Sequence, residues 1–115
     1  MSLIYLCCPY THPDAAVRQA RYEAVTELTV RLWREGRLVY SPITYTHEMC
    51  RLGMLPAEFE FYRPHARAMI DAAEQVWVYC LAGWDHSVGI QEELVFAGEF
   101  GKPVRFITDG DKWDL

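Results

Sequence analysis

The sequence predicts an α/β fold in which a parallel sheet of four to five strands is covered by helices on both faces. Two observations carry that expectation. Apolar runs recur at Leu3–Cys8, Leu38–Tyr40, Gln75–Leu81 and Val104–Ile107, as strands buried on both faces of a parallel sheet require. Between them lie stretches with helical periodicity and helix-boundary residues, and alternating strands and helices argue for parallel pairing through right-handed crossovers. At 115 residues the chain amounts to one domain, long enough for a core of its own. The expected class is a single three-layer domain, flavodoxin-like or Rossmann-like.

The first strand is closed by Pro9, and a loop runs from Pro9 to Asp14. Cys7 is near enough to that loop for its backbone to face a ligand; the alternative is a plain core thiol. Asp14 suits the N-cap of a helix from Ala15 to Glu35, which Gly36 stops. Its apolar stripe is Val17, Ala20, Ala24, Val25, Leu28 and Leu32. Arg21 falls on that stripe. Either its stem packs while its head reaches water, or it clamps an anion or carboxylate at the end of the first strand.

Ser41-Pro42 ends the second strand. Ile43 to Leu55 has few regular signals and is expected to be a loop on the same edge as the Pro9 loop. A helical turn is expected near Pro56, and a helix from Pro64, where proline suits the first position. Ala66, Met69, Ile70 and Ala73 form its buried face. The third strand, Gln75–Leu81, is β-branched and aromatic. After the Gly83 loop, Ser87 is a good N-cap for a helix ending near Gly101, with Val88, Leu94, Val95 and Phe96 as packing residues. Gly101-Lys102-Pro103 turns the chain into the last strand. The polar tail from Asp109 is expected to fray, with Trp113 packing back on the domain or into a partner subunit.

Composition excludes several classes of function. Eleven Lys and Arg against 16 Asp and Glu give a net charge of −5 with no basic run, which argues against nucleic-acid binding. No apolar run approaches ~20 residues, so no membrane span is expected. The first residues lack a basic segment followed by a long apolar one, so no signal peptide is expected. Cys7, Cys8, Cys50 and Cys80 form no CxxC pair and read as reduced thiols of a cytoplasmic protein. His47 and Cys50 have a spacing that could hold a metal, with Cys80 and His86 brought near, but no second close ligand pair supports one. There is no GxGxxG after the first strand, no GxxxxGK[ST] and no GxSxG. These absences argue against dinucleotide, P-loop and serine-hydrolase chemistry. Neither a metal nor a cofactor is expected.

Ligands of parallel sheets bind beyond the carboxyl ends of the strands. Three loops meet there: Pro9 to Asp14, Ser41 to Leu55 and Leu81 to Ser87. That edge carries Tyr5, Tyr10, Thr11, Arg18 or Arg21, Ser41, His47, Asp85, Ser87 and Glu93. Hydroxyls, one or two cations and carboxylates suit a sugar or sugar phosphate better than an apolar ligand. The last helix offers free backbone N–H groups at its start, space beside Gly89, and a carboxylate in its second turn. On spacing alone either Glu92 or Glu93 faces inward. A carboxylate near an anomeric carbon can attack C1 as the bond to a leaving base breaks, giving a glycosyl-enzyme ester that a second acceptor resolves. The nucleophile has to be ionised at neutral pH, which a hydroxyl such as Tyr5 and the positive end of its own helix would favour. A second acid has to protonate the departing base.

Ile4 to Tyr10, Ser41-Pro42-Ile43-Thr44 and Gly83 to Glu93, with its Ser-x-Gly-x-x-x-Glu pattern, resemble the nucleoside 2-deoxyribosyltransferase-like superfamily, nearest its short, poorly characterised members. The resemblance spans nearly the whole chain and implies one such domain over residues 1–115. It implies Glu93, not Glu92, as the nucleophile, with Tyr5 orienting it. Ser87 and Gly89 match positions that bind the sugar or its phosphate. It also implies a nucleoside or nucleotide as small-molecule partner, and a homo-oligomer whose sites are completed across an interface. The superfamily supplies an Asp near where Ala66 or Arg67 falls here. Asp85 and His65 are the alternatives as proton donor, and without one the chain would bind a nucleotide-like ligand and turn it over poorly.

Overall fold

The computed structural model describes residues 2–56 and 58–109. Its elements are β1 (Leu3–Cys7), α1 (Ala15–Arg34), β2 (Leu38–Tyr40), α2 (Pro42–Arg51), α3 (Phe59–Ala72), β3 (Gln75–Tyr79), a one-turn 3₁₀ helix (Trp84–His86), α4 (Val88–Glu99) and β4 (Val104–Ile107). The four strands are all parallel, in the order β2-β1-β3-β4. The predicted three-layer α/β architecture is the one observed. Trp113 and the rest of the tail lie outside the described residues.

The core follows from the two-residue period of β1 and β3. Ile4, Leu6 and Cys8 share one face with Trp77 and Tyr79, against Val25, Leu28 and Leu32 of α1. Tyr5 and Cys7 share the other with Val76 and Val78, against Ala66 and Ile70 of α3 and Ile90, Phe96 and Ala97 of α4. Both central strands are therefore covered on both faces, as their unbroken apolar runs require.

The structure corrects four expectations. Pro42–Arg51, expected as a loop, is a helix. Ser41 caps it, accepting from the Thr44 amide, and Pro42 stands in its first turn, the two residues that favour a helix start. Ile43 and His47, one turn apart, are its buried pair. Next, α3 starts at Phe59, with Pro64 inside it. Proline removes one intrahelical bond there, while Phe59 ahead of it extends the packed face. In α4, Val88 and Val95 are 66% and 62% exposed, and the buried stripe is Ile90, Glu93, Phe96 and Ala97. Residues three and four apart share the face toward the sheet, and Val88 and Val95 fall opposite. Along α1, Ala20 is exposed, whereas Thr29 is buried with its hydroxyl bonded to the Val25 carbonyl at 2.7 Å. No helix among the described residues is long and apolar enough to cross a membrane.

Candidate active site

Beyond the carboxyl ends of β1 and β3 lies a cavity of about 770 Å³. Its floor holds a buried acid. The Ser87 hydroxyl caps α4 by accepting from the Ile90 amide at 3.2 Å, and the helix then carries Glu93 against the sheet, where it is 5% exposed. Tyr5, on the β1 face directed at α4, donates its hydroxyl proton to Oε2 of Glu93 at 2.5 Å. Cys7, two residues on and on the same face, brings its thiol to bear on the same carboxyl. Burial pushes the Glu93 carboxyl up to about 7, while the bonds from Tyr5 and Cys7 pull the other way. Tyr5 thus acts in the direction expected from the sequence, toward the ionised form, and burial outweighs it. Burial, then the Glu93 charge, holds Tyr5 and Cys7 well above their ordinary values, so both stay protonated donors. Glu92 points elsewhere, pairing with Arg63 at 2.8 Å.

Six of the sequence-predicted residues line this cavity together: Tyr5, Tyr10, Thr11, Ser87, Gly89 and Glu93. Five others lie outside its lining. Cys7 is behind the floor, fully buried. Ser41 is occupied as the α2 cap and bonds the Thr44 hydroxyl at 2.8 Å. Asp85 is exposed in the 3₁₀ turn, 3.8 Å from His86. Neither Ser41 nor Asp85 reaches the floor as a lining residue.

Arg21 ties two cavity loops together. Its guanidinium donates to the carbonyls of Tyr10 (3.4 Å) and Thr11 (3.2 Å) on one side and Ala82 (3.2 Å) on the other. Gly83 permits this approach: it has φ +90°, and a Cβ there would stand 2.8 Å from Nη2 of Arg21. His47 is 4% exposed and held from all sides. Nε2 meets Gln19 Oε1 at 2.8 Å, Nδ1 meets the Tyr10 hydroxyl at 2.8 Å, and the ring stacks on Tyr22 at 4.1 Å. Burial lowers its pKa. With both nitrogens engaged, His47 has no lone pair for a metal; among the described residues no three His, Cys, Asp or Glu side chains cluster as a metal site would need.

Sequence reasoning missed one wall. Phe59, Phe61, Tyr62, Glu58 and Glu60 line the cavity from the start of α3. The open space expected above Gly89 is filled by Phe59, whose Cδ1 would lie 3.1 Å from a Cβ at that glycine. The aromatic run Phe59-Glu60-Phe61-Tyr62 was the signal available, and only the early start of α3 makes it a wall.

The fold has a counterpart among solved structures. A 2-deoxyribosyltransferase from the psychrotolerant bacterium Bacillus psychrosaccharolyticus superposes with a TM-score of 0.62 and 23% identity, covering 99% of this chain and 78% of that one. At that identity the likeness establishes a shared fold. The chain itself belongs to the family described as a domain of unknown function, DUF1937, whose pattern matches residues 2–109. No functionally curated protein matches it.

Proposed function

We propose that this protein cleaves or transfers the N-glycosidic bond of a nucleoside or nucleotide through Glu93. The observation that carries the reading is the buried Glu93 carboxylate, held by Tyr5 at 2.5 Å on the floor of a cavity of about 770 Å³. The shared fold with a 2-deoxyribosyltransferase supports the same reading.

In the proposed reaction the ionised Glu93 oxygen bonds to C1 of the sugar. The C–N bond breaks with its electron pair leaving on the base, and a proton from a cavity acid neutralises that base. Water or a second base then displaces the carboxylate, so the anomeric configuration is retained over two inversions. His65 lines the cavity on α3, one residue before Ala66, and is the group we assign to the proton. Self-assembly belongs to the proposal as well. Tyr45, Phe61 and Val88 stand at the cavity 59%, 53% and 66% exposed, apolar surface a second copy would cover.

The test is base release from a panel of nucleosides, deoxynucleosides and their 5′-monophosphates, repeated with Glu93→Ala. The expected result is release that the substitution abolishes; release that survives Glu93→Ala overturns the reading. A second reading is a module that binds such ligands without turnover. It is favoured by Ala66 and Arg67 standing where the superfamily's acid is expected, and it predicts thermal stabilisation by the same panel with no base released.

A further inference from the structure

The wall made by the loop after β1, the C-terminal end of α2 and the start of α3 has a fixed hydrogen-bond polarity, which can be read from its far end inward. Gln19 donates through Nε2 to Glu23 at 3.3 Å, so its Oε1 faces His47. A carbonyl oxygen only accepts, so His47 Nε2 carries the ring proton. The ring is neutral, its Nδ1 is therefore an acceptor, and the Tyr10 hydroxyl donates to it at 2.8 Å. The second tyrosine is committed in the same way. Tyr62 donates its hydroxyl proton to the Pro56 carbonyl at 2.5 Å. Each phenol has one proton, and both are directed into protein. What each phenol has left for a further partner is lone pairs.

The groups beside them agree. Cys50 lies between, its Sγ 2.9 Å from the Tyr62 oxygen and 3.4 Å from the Pro56 carbonyl, and offers one weak thiol proton. Glu58 and Glu60 add carboxylate oxygens to the same lining, and no ion pair engages either among the described residues. The guanidinium on the lining, Arg63, is already paired with Glu92. Burial keeps the Tyr10 and Tyr62 phenols above their ordinary pKa, so neither becomes an anion that would alter this pattern near neutral pH.

We propose that this wall recognises hydrogen-bond donors, and that the ligand it takes is a nucleoside whose base carries an exocyclic amine, in preference to the keto counterpart. An amine brings N–H groups to a row of acceptors. A keto oxygen in its place sets acceptor against acceptor, and groups that the ligand shields from water are left unpaired. This inference rests on the proposed function for the nature of the ligand, and on hydrogen-bond polarity for the choice among bases.

The test is calorimetric titration of the full chain carrying Glu93→Gln, so that no glycosyl ester forms. Adenosine is compared with inosine, and cytidine with uridine. The expected result is tighter binding of adenosine and cytidine by about 10-fold or more. Tyr62→Phe and Tyr10→Phe, each first checked for an intact melting transition, are expected to shrink the amine preference to within about 3-fold. Tyr62 serves if Tyr10→Phe disturbs the packing of His47. Equal or tighter binding of inosine and uridine overturns the proposal, as does a preference that survives both substitutions. Amine preference without base release by the wild-type chain removes the glycosyl-transfer reading and leaves this one standing. Base release with no preference does the reverse.

Discussion

Tyr5 and Glu93, 88 positions apart, meet through a 2.5 Å hydrogen bond that joins the first strand to the last helix. The bond lowers the Glu93 pKa against the larger effect of burial. Tyr5→Phe removes it, so the carboxyl rises above about 7 and a smaller fraction is ionised at neutral pH. We expect the acid limb of the pH–rate profile to move to higher pH, and kcat/KM at neutral pH to fall by roughly 10- to 100-fold. Full pH–rate profiles of the two proteins decide this, and an unmoved acid limb would remove Tyr5 from the mechanism.

The same acid makes stability depend on pH. Its folded value of about 7 lies above the ordinary 4.5, so the folded state binds the proton more tightly than the unfolded state does. The stabilisation it gives is complete below about 4.5, fades as pH rises toward 7, and is gone above that. Above pH 7 the buried anion costs on the order of 3 kcal/mol. Glu93→Gln is neutral throughout. Its melting temperature relative to wild type is expected to climb between pH 4.5 and 7 and then level off. Thermal melts across that range give the answer, and a difference that stays flat with pH would mean the acid is solvated.

The Arg21 clasp sets the third expectation. Gly83→Ala places a Cβ 2.8 Å from Nη2 at a backbone φ of +90°, and is expected to cost about 1–3 kcal/mol. Arg21→Lys is expected to loosen the same loops, since an ammonium cannot span the carbonyls of Tyr10, Thr11 and Ala82 at once. Hydrogen exchange should report faster amide exchange in both loops for both variants. Slow exchange in either variant would show that the loops hold without the clasp.

Gly89→Ala separates stability from binding. The new Cβ would meet Phe59 at 3.1 Å and 3.5 Å, so the ring has to shift. Relief of the glycine penalty, roughly 1 kcal/mol in a helix, works in the opposite direction. The melting temperature is expected to change little, while ligand affinity falls because Phe59 is a cavity wall. Melts and titrations on one preparation test both halves.

The strands and layers were legible in the sequence because β1 and β3 are apolar without interruption, a pattern only a doubly covered sheet accommodates. The helix α2 was not. Thr44, Tyr45 and Thr46 are indifferent helix formers, and Ser41-Pro42 reads equally as the end of a strand. Burial of Ile43 and His47 decides the matter, and burial is tertiary. The inward acid was half legible: spacing left Glu92 and Glu93 open, and the Arg63 partner that holds Glu92 outward comes from another helix. Arg21 drew notice for its place on the apolar stripe, yet its partners are backbone carbonyls, which no residue pattern announces.

The alternation along β1 has an evolutionary consequence. Tyr5 and Cys7 look toward the carboxylate, Ile4 and Leu6 toward α1, so a single codon gained or lost ahead of Tyr5 would turn the phenol into the oily layer and aim a leucine at the acid. Lineages of this protein can therefore adjust that strand by exchange in place but not by changing its length. Change beside the carboxylate and change in the core are bound to the same few positions.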